Sequence, residues 1–471
     1  MSTGLNSLAD IARLIVLNTD SYKHSHWLQY PPQTSHVFSY VEARGGTHHR
    51  TLFFGLQVIL KEYFCKAMTA EDVALAAEVC AAHGLPFHRD GWMHVVDAHG
   101  GRLPVRIRAV AEGTLVPVRN VLVTVENTDP ACFWLTSFLE TALLRVWYAT
   151  TVATNSWATK QLIARWLERT GDPAGLPFKL HDFGARGVSS LESAMLGGMA
   201  HLVNFQGTDT MSALLGARTY YGEPMAGFSI PAAEHSTITA WGRDGEADAY
   251  RNMLQRFARP GSLLAVVSDS YDLEHAVDAL WGRELRQAVI DSGATVVIRP
   301  DSGEPSAIVL KTLQSLDAAY GSDLNVKGFK VLRHVRVIQG DGITHESIGR
   351  ILETVAQHGY SADNVAFGQG GALLQIVNRD NLGFAMKCSA AQVAGQWRDV
   401  FKDPLTDPDK RSKAGRLTLL RKGDTFATLR IDDPAYPEHL QGGWSDALRS
   451  VFEDGQLLVD DTFAQVRERA R

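Results

Sequence analysis

Residues 262–303 read SLLAVVSDSYDLEHAVDALWGRELRQAVIDSGATVVIRPDSG. The short apolar run LLAVV ends in a polar turn, a stretch with helical character follows, and a second apolar run, TVVIR, ends in another polar turn. Short apolar runs bounded by turn residues are typical of buried strands, and parallel strands need a long connection, usually a helix. The stretch therefore predicts two parallel strands joined by a helix.

The same pattern recurs through the middle of the chain, with about 25–40 residues between successive strand starts. Successive strand–loop–helix units predict a parallel sheet. We expect it to close into a (β/α) barrel-like domain of six to eight strands, and an open doubly wound sheet is the alternative. The predicted starts are FKLHDFG (178–184), HLVNFQGTD (201–209), GFSIPAAEH (227–235), SLLAVVSDSYD (262–272), ATVVIRPDSG (294–303), HVRVIQGDG (334–342) and NVAFGQGG (364–371), with FAMKCSA (384–390) as a candidate for one more strand.

The two ends of the chain have a different pattern of apolar and polar residues. Residues 103–125 alternate apolar and polar positions around Gly113 and Pro117, which predicts antiparallel strands with one solvated face, and residues 131–168 have helical spacing. After residue 400, RKGDTFATLRI predicts a strand that returns to the N-terminal ones. We therefore expect an α/β chain with two domains: an α+β domain of residues 1–150 completed by 391–471, with an antiparallel sheet built from both chain ends, and a (β/α) barrel-like catalytic domain of residues 151–390.

Composition narrows the class of protein. The net charge of −6 argues against nucleic-acid binding driven by bulk charge, and no uncharged apolar stretch approaches the ~20 residues of a membrane span. The four cysteines are scattered without a CxxC pair, and the N-terminus lacks the pattern of a signal peptide. We expect a cytoplasmic protein that binds neither nucleic acid nor membrane.

Chemically useful residues follow the predicted strands. In parallel α/β folds such residues meet beyond the carboxyl ends of the strands. A single acid there is also explained as the N-cap of the next helix, but acids, arginine, histidine and glycines on one face favour a ligand site. Glycines before a helix suit a phosphate, and aspartates suit ribose hydroxyls or Mg²⁺, so sugar-phosphate isomerases, aldolases and phosphoribosyltransferases all remain open. These residues are His181, Asp182, Asp209, His235, Ser268, Asp269, Asp272, Arg299, Asp301, Asp341, Gly370 and Gly371.

A series of longer motifs resembles the nicotinamide phosphoribosyltransferase family, in the order of that family and over nearly the whole chain. The motifs are NTDSYKHSHWLQYPP (18–32), VLVTVENTDPACFWLTSFLET (121–141), KLHDFGARGVSS (179–190), HLVNFQGTDT (201–210), SIPAAEHSTITAWG (229–242), VVSDSYD (266–272), VIRPDSGEP (297–305), VIQGDG (337–342), AFGQGGALLQ (366–375) and FKDPLTDPDKRSKAGRL (401–417). The resemblance implies a type II phosphoribosyltransferase fold and a homodimer with active sites at the subunit interface. It also implies transfer of phosphoribosyl from 5-phosphoribosyl 1-pyrophosphate to nicotinamide, assisted by Mg²⁺, with ATP hydrolysis coupled through a phosphohistidine.

The resemblance also assigns roles to residues. Phe183 and the partner subunit's Tyr22 should stack on the two faces of the pyridine ring, Asp209 should accept a hydrogen bond from the carboxamide, and Arg299 should approach the base. His235 should accept the phosphoryl group from ATP, and Asp272 and Asp301 are catalytic candidates and candidate Mg²⁺ ligands. Expected ribose and phosphate ligands are Arg186, Ser268, Gly340, Asp341, Gly370, Gly371 and Arg379, and expected pyrophosphate or ATP ligands are Arg44, Lys387 and Lys402.

Two other functions stay open at this point. A nicotinate phosphoribosyltransferase shares the architecture, although the carboxylate of Asp209 would repel nicotinate. A catalytically silent binding protein of the same fold is the other alternative. The sequence departs from the motifs at Ala185, where animal members commonly have tyrosine, and at Gln369 and Ala372 in the glycine loop. We expect a wider wall at Ala185 and a retained phosphate loop, because Gly370 and Gly371 remain.

Overall fold

A computed structural model describes residues 7–404, 406 and 411–471, so Leu405 and residues 407–410 of the basic C-terminal motif lie outside the description. The chain divides into two compact units. The first comprises residues 1–154, 220–222 and 378–471, and the second comprises residues 155–219 and 223–377. No helix among the described residues has both the length and the apolar character that crossing a membrane requires.

The strands, in chain order, are β1 (Thr34–Ala43), β2 (Arg50–Leu52), β3 (Val105–Val110), β4 (Leu115–Pro117), β5 (Val121–Asn127), β6 (Leu180–Asp182), β7 (Gly207–Thr208), β8 (Leu263–Val267), β9 (Thr295–Arg299), β10 (Ser322–Leu324), β11 (Lys330–Leu332), β12 (Val335–Gln339), β13 (Val365–Gln369), β14 (Phe384–Val393), β15 (Gln396–Asp399), β16 (Leu417–Lys422), β17 (Thr425–Arg430), β18 (Ser445–Asp446), β19 (Leu448–Glu453) and β20 (Gln456–Leu457).

The α-helices are α1 (Leu8–Ala12), α2 (Leu56–Ile59), α3 (Ala70–His83), α4 (Arg89–His99), α5 (Leu135–Phe138), α6 (Glu140–Leu144), α7 (Val146–Thr170), α8 (Leu191–Leu202), α9 (Met211–Tyr221), α10 (His235–Thr239), α11 (Glu246–Phe257), α12 (Leu273–His275), α13 (Arg286–Ser292), α14 (Pro305–Tyr320), α15 (His345–Gln357), α16 (Gly371–Leu374), α17 (Ala435–Gln441) and α18 (Phe463–Arg469). Short 3₁₀ segments include Ser21–Leu28, Pro130–Cys132 and Ala185–Gly187, and Ala276–Glu284 is π-helical.

The second unit contains a parallel sheet with the strand order β7-β6-β13-β12-β9-β8. Residues 228–232 join its two edges, because Phe228 forms a parallel bridge with Gly207 on β7 and Ala232 forms one with Ala265 on β8. The strands therefore run around a barrel-like ring, as the sequence predicts, and each of the predicted starts between residues 178 and 371 contributes a strand or the bridging segment.

Side chains of these strands alternate between two environments, as expected when successive residues point to opposite faces. On β9, Val296 and Ile298 belong to the large core formed with the surrounding helices, whereas Val297 belongs to a small inner cluster. Ala265 and Ile338 complete this inner cluster, and Phe183 packs against it. The inner residues are few and mostly small, which leaves space at the centre of the ring.

The first unit is built on an antiparallel sheet with the order β15-β14-β1-β5-β3-β19-β20. Strand β1 lies near the N-terminus and pairs with β14, and β3 pairs with β19 near the C-terminus. The prediction of an antiparallel sheet built from both chain ends is therefore confirmed. A smaller sheet with the order β17-β16-β18 belongs to the same unit.

Two predictions about residues 384–390 are wrong. The segment lies in β14, which pairs antiparallel with β1 and adds no strand to the parallel ring, and the unit boundary falls at residues 377/378, not 390/391. The reason lies just beyond the strand. Ala394 and Gly395 both have positive φ and connect β14 directly to β15 as a two-residue hairpin, so no crossover helix follows that could return the chain to a parallel sheet.

Candidate functional site

Phe183 follows β6 and lies at the centre of the ring. Its backbone N–H donates to the carbonyl oxygen of Gln369, which anchors the residue to β13. A Cβ atom on Gly368 would lie 1.9 Å from Cε2 of Phe183, so only glycine leaves room for the aromatic side chain of Phe183. The Arg299 guanidinium lies 5.8 Å from the ring centroid. The aromatic face is thus held in a fixed position beside a cation.

Two cavities adjoin the side chain of Phe183. One, of about 470 Å³, extends among the inner faces of the strands and is lined by Phe183, Asp209, Ser229 and mainly apolar side chains. The other, of about 360 Å³, shares Phe183 and Asp209 and adds Arg186 and Arg299. A mostly apolar space with a few polar groups suits a flat ligand that carries a polar substituent.

Asp209 supplies the carboxylate of this space. Its backbone N–H donates to the carbonyl oxygen of Asp182, and its Oδ1 accepts a hydrogen bond of 2.6 Å from Ser229. Asp209 is exposed, so it retains acceptor capacity for a ligand. Burial lowers the pKa of the neighbouring His181, although Asp209 partly opposes this shift. His181 therefore faces the cavity as a neutral ring whose Nε2 donates to the Phe178 carbonyl oxygen.

A chain of polar contacts begins at Arg299. Its Nε and Nη2 both donate to Oδ1 of Asp301, at 3.1 and 2.7 Å. The other carboxylate oxygen of Asp301 lies 3.3 Å from Nε2 of His235, and Nδ1 of His235 lies 3.1 Å from Ser270 Oγ. His235 is half exposed, so its ring is both oriented and accessible. The structure thus brings together Phe183, Asp209, Arg299, Asp301 and His235 in one unit.

Asp269 is a member of this cluster that the sequence placed among the strand-end candidates, but to which the family resemblance gave no role. Its Oδ2 accepts from Ser302 Oγ at 2.6 Å, and its Oδ1 lies 3.8 Å from Nε2 of His235. Oδ1 is buried and has no hydrogen-bond partner among the described residues. A buried, unpartnered carboxylate oxygen is costly, which points to a bound cation or donor. The available signal was its position, two residues after the end of β8.

Ser268 and Asp272, two other residues of the VVSDSYD motif, have hydrogen-bond partners outside the cluster of His235 and Asp301. The Oδ1 of Asp272 accepts the backbone N–H of His275 at 3.0 Å, so this residue caps α12, and no described contact joins it to His235 or Asp301. The Ser268 hydroxyl is fully buried, where it donates to the Val266 carbonyl oxygen and accepts from the Trp281 indole. Its side chain faces the core, because the residue continues the alternation of β8.

Gly340, Gly371 and Arg186, which are predicted phosphate or ribose ligands, lie around the ring of parallel strands. Gly340 lies beside the pair of Arg299 and Asp301, since a Cβ there would be 3.5 Å from both. Asp341 is exposed on the following turn. Gly371, which begins α16, lies against Gly187 in the short turn that carries the exposed Arg186. Backbone and arginine donors therefore border the pocket, as expected for a phosphate site.

The predicted pyrophosphate ligands belong to the first unit and lie near one another. Burial lowers the pKa of Lys387, Glu140 opposes this, and the nearby cations Arg44, Lys402 and Arg379 lower it further. The Nη2 of Arg44 is buried without a hydrogen-bond partner in the described chain. Three cations around the half-buried Lys387 favour an anion.

Tyr22 also belongs to the first unit. It lies in the Ser21–Leu28 segment with 57% of its surface exposed. Its ring packs edge-on against His26, with centroids 4.9 Å apart. A large exposed aromatic side chain held by a neighbouring ring is suited to contact a partner molecule.

Comparisons with known proteins follow the two units. The profile of the nicotinate phosphoribosyltransferase (NAPRTase) family matches residues 178–456, and that of the N-terminal domain of nicotinamide phosphoribosyltransferase matches residues 14–107. A nicotinamide phosphoribosyltransferase of Xanthomonas campestris is 60% identical over 460 residues, covering 97% of this chain and 98% of that protein. The chain belongs to the nicotinamide phosphoribosyltransferase family.

Other relatives and solved structures agree with the family. Nicotinamide phosphoribosyltransferases of Mycoplasma pneumoniae and Acinetobacter baylyi are 34% and 30% identical, covering 85% and 96% of this chain and 95% of each relative. The structure of a nicotinate-nucleotide pyrophosphorylase from Pyrococcus furiosus has a TM-score of 0.62 at 16% identity, with coverage of 100% of this chain and 97% of that one. Human nicotinic acid phosphoribosyltransferase has a TM-score of 0.58 at 19% identity, with coverage of 96% and 92%. The fold is that of the type II phosphoribosyltransferases.

Proposed function

We propose that this protein transfers the phosphoribosyl group of 5-phosphoribosyl 1-pyrophosphate to nicotinamide, giving nicotinamide mononucleotide and pyrophosphate for NAD salvage. The observation that carries the proposal is the cavity in which Phe183 offers an aromatic face, Asp209 an acceptor and Arg299 a donor. Family membership supports the same reaction, because the relative from Xanthomonas campestris bears that name.

The chemistry requires orientation and charge stabilisation. As the bond from ribose C1 to the pyrophosphate oxygen breaks, positive charge develops on the ribose, and the pyridine nitrogen supplies the electron pair of the new C1–N bond. The pyrophosphate leaves with the electrons of the broken bond. Phe183 orients the base, and the acids around Arg299 and Asp301 favour the developing cation.

Asp209 gives the proposal its specificity argument. Its carboxylate accepts from a carboxamide NH₂ but repels a carboxylate at the same position, which disfavours nicotinate. Rates of mononucleotide formation with nicotinamide and with nicotinate test this directly. We expect the wild type to prefer nicotinamide and Asp209→Asn to lose most of that preference. A wild-type preference for nicotinate would assign the protein to the nicotinate enzymes instead.

We infer that Mg²⁺ assists the reaction. The fit to a hard cation comes from Asp269, whose buried Oδ1 has no partner within the described chain, together with Asp301 nearby. Oxygen ligands of this kind suit Mg²⁺, which would offset the negative charge of pyrophosphate. Asp272 is the weaker candidate, because one of its oxygens already caps α12.

His235 is proposed as the acceptor of a phosphoryl group from ATP. An N–P bond would form at the imidazole while the bond between the γ-phosphorus and the bridging oxygen breaks, with ADP as the leaving group. A neutral imidazole is a competent nucleophile. Asp301 and Ser270 orient the ring through its two nitrogens, and its half exposure leaves it accessible.

The test of this role separates basal from ATP-stimulated synthesis. We expect His235→Ala to keep measurable synthesis without ATP and to lose most of the stimulation, together with any acid-labile phosphate on the protein. His358→Ala, on the exposed end of α15, is the matched control and should keep both. An unchanged ATP response in His235→Ala would contradict the phosphohistidine.

A homodimer with shared sites is proposed from exposed apolar surface. On α8 and α9, Leu191, Met211 and Leu215 are 77, 71 and 65% exposed, which is unusual for large apolar side chains. Leu191 and Met211 border an open groove of about 520 Å³ that reaches Asp209. A partner that covers this surface could place its own Tyr22 against the base.

Mixing two variants tests the shared site. Tyr22→Ala and Asp209→Ala should each be impaired alone. If the two residues of one site come from different subunits, each mixed dimer has one intact site, so equal mixing after subunit exchange restores about a quarter of all sites. Absence of any recovery in dimers shown to be mixed would place both residues of a site in the same chain.

We also propose a cytoplasmic location, with no nucleic acid or membrane as partner. All four cysteines are free, and Cys80 and Cys132 are buried. Unpaired thiols suit a reducing compartment. Titration of the thiols in freshly isolated protein checks this, since four reactive thiols per unfolded chain are expected and a loss of two would indicate a disulfide.

A further inference from the structure

Four potential metal ligands converge in the first unit, away from any role assigned above. His94 and His99 lie on α4, with His99 as its last residue. Asp129 caps the short 3₁₀ turn after β5, and Cys132 is the last residue of that turn. One ligand atom from each residue lies within 4.8 Å of all the others. We propose that these side chains bind one divalent transition metal ion of the Zn²⁺ class.

The distances are close to those of a tetrahedral site. Nε2 of His94 and Nε2 of His99 each lie 2.7 Å from the same Oδ2 of Asp129. Zinc–nitrogen distances near 2.0–2.1 Å put tetrahedral ligand atoms about 3.3 Å apart, so the imidazoles need to move outward by only about half an ångström. Two ring nitrogens and one carboxylate oxygen are therefore already grouped at a spacing that one ion can draw together.

The backbone holds the acidic side of the cluster in place. Oδ1 of Asp129 accepts the N–H of Ala131 at 2.8 Å, which leaves Oδ2 for the imidazoles. The Asp129 carbonyl oxygen accepts from Nδ2 of Asn127 and from the N–H of Cys132. These bonds fix the direction of the carboxylate and place Cys132 one turn away, where its buried sulfur completes the set.

The C-terminal end of α4 favours a cation beside His94 and His99. Helix α4 ends at His99, and Gly100 continues the chain with a φ of 60°. The C-terminal end of a helix carries partial negative charge and favours a cation. His94 and His99 are 39 and 27% exposed, so an ion in solution can reach the ligands without unfolding the protein.

The donor set selects the class of metal. Two imidazole nitrogens, one thiolate sulfur and one carboxylate oxygen suit Zn²⁺ or Co²⁺, whereas Mg²⁺ and Ca²⁺ require mainly oxygen ligands. Binding displaces the thiol proton, so affinity should rise with pH. This site is independent of the proposed reaction, and its test needs no activity measurement.

Titration of the full chain with Co²⁺ after treatment with a chelator tests the proposal. We expect one equivalent of Co²⁺ to bind with the d–d bands of a tetrahedral ion and a thiolate-to-cobalt charge-transfer band, and equimolar Zn²⁺ to displace it. Cys132→Ser should lose the charge-transfer band, and His94→Gln should bind Co²⁺ at least about tenfold more weakly. Cys80→Ser, which changes another buried cysteine, is the matched control and should behave as the wild type.

His94→Gln is included as a second variant in case Cys132→Ser fails to fold. His94 is partly exposed, and its replacement leaves the buried Cys132 unchanged. Thermal unfolding of each variant without metal shows whether it is folded. Wild-type protein that binds no Co²⁺ would show that the four side chains form only a hydrogen-bonded cluster. Co²⁺ binding that persists unchanged in both variants would place the metal elsewhere, and either result overturns the proposal.

Discussion

Gly368→Ala is a substitution of one methyl group that should disable the base site. The new Cβ would lie 1.9, 2.2 and 2.7 Å from three ring carbons of Phe183. Ordinary carbon contacts are about 3.5–4.0 Å, so the ring must move by more than ~1 Å. Stacking of an aromatic side chain on a base is worth about 1–3 kcal/mol, and its loss should lower kcat/KM for nicotinamide by roughly 5- to 150-fold.

Initial rates of nicotinamide mononucleotide formation, with nicotinamide varied at saturating 5-phosphoribosyl 1-pyrophosphate, measure this effect. The KM for the sugar donor should change much less, because the contact proposed for Phe183 is with the base. Overpacking also costs about 1–3 kcal/mol of stability, so rates are measured well below the melting temperature of the variant.

Gly349→Ala is the matched control. Gly349 lies within α15, and a Cβ there meets only Leu162, at an ordinary 3.7 Å. Alanine in a helix interior is more favourable than glycine by about 1 kcal/mol, so this variant should be as active as the wild type and slightly more stable. A folded Gly368→Ala protein with unchanged kcat/KM for nicotinamide would refute the role of Phe183 as the platform for the base.

Three further predictions address stability and assembly. Ser268→Ala should lower the free energy of unfolding by about 1–3 kcal/mol, because the Trp281 indole loses its acceptor. The KM for the sugar donor should stay unchanged. A large rise in that KM would show that Ser268 contributes to the site. Burial raises the pKa of Glu112 to about 7, so the native state binds the proton of this carboxyl group more tightly than the unfolded chain does. The free energy of unfolding from chemical denaturation should therefore fall, by up to roughly 3 kcal/mol, as the pH rises from 4.5 to 7. Glu112→Gln should remove that part of the slope, and an equally steep slope in the variant would contradict the assignment. Leu215→Glu should break the proposed homodimer into monomers in sedimentation experiments and lower activity, whereas an active variant that is dimeric would exclude this face of α9 from the interface.

The site illustrates the limit of reading a motif. In VVSDSYD, Ser268, Asp269 and Asp272 are equally plausible ligands, and the sequence-based assignment chose the first and the last. The structure turns Ser268 into the core and uses Asp272 as a helix cap, whereas Asp269 lies beside His235. Strand alternation accounts for Ser268, but the course of the loop after β8 depends on Ser302, a residue distant in sequence.

The sequence by itself determined the series of parallel strands, the antiparallel sheet from both chain ends, and the family, because local periodicity and long collinear motifs carry that information. Closure of the parallel strands into a ring was expected but left open against a doubly wound sheet, and the bridges of residues 228 and 232 decided it. Only the tertiary structure decided that residues 384–390 pair with β1, that Gly368 makes room for Phe183, and that two histidines meet Asp129 and Cys132. Each of these depends on distances between residues far apart in the chain. Such distances arise from packing and strand pairing, which a local pattern does not encode.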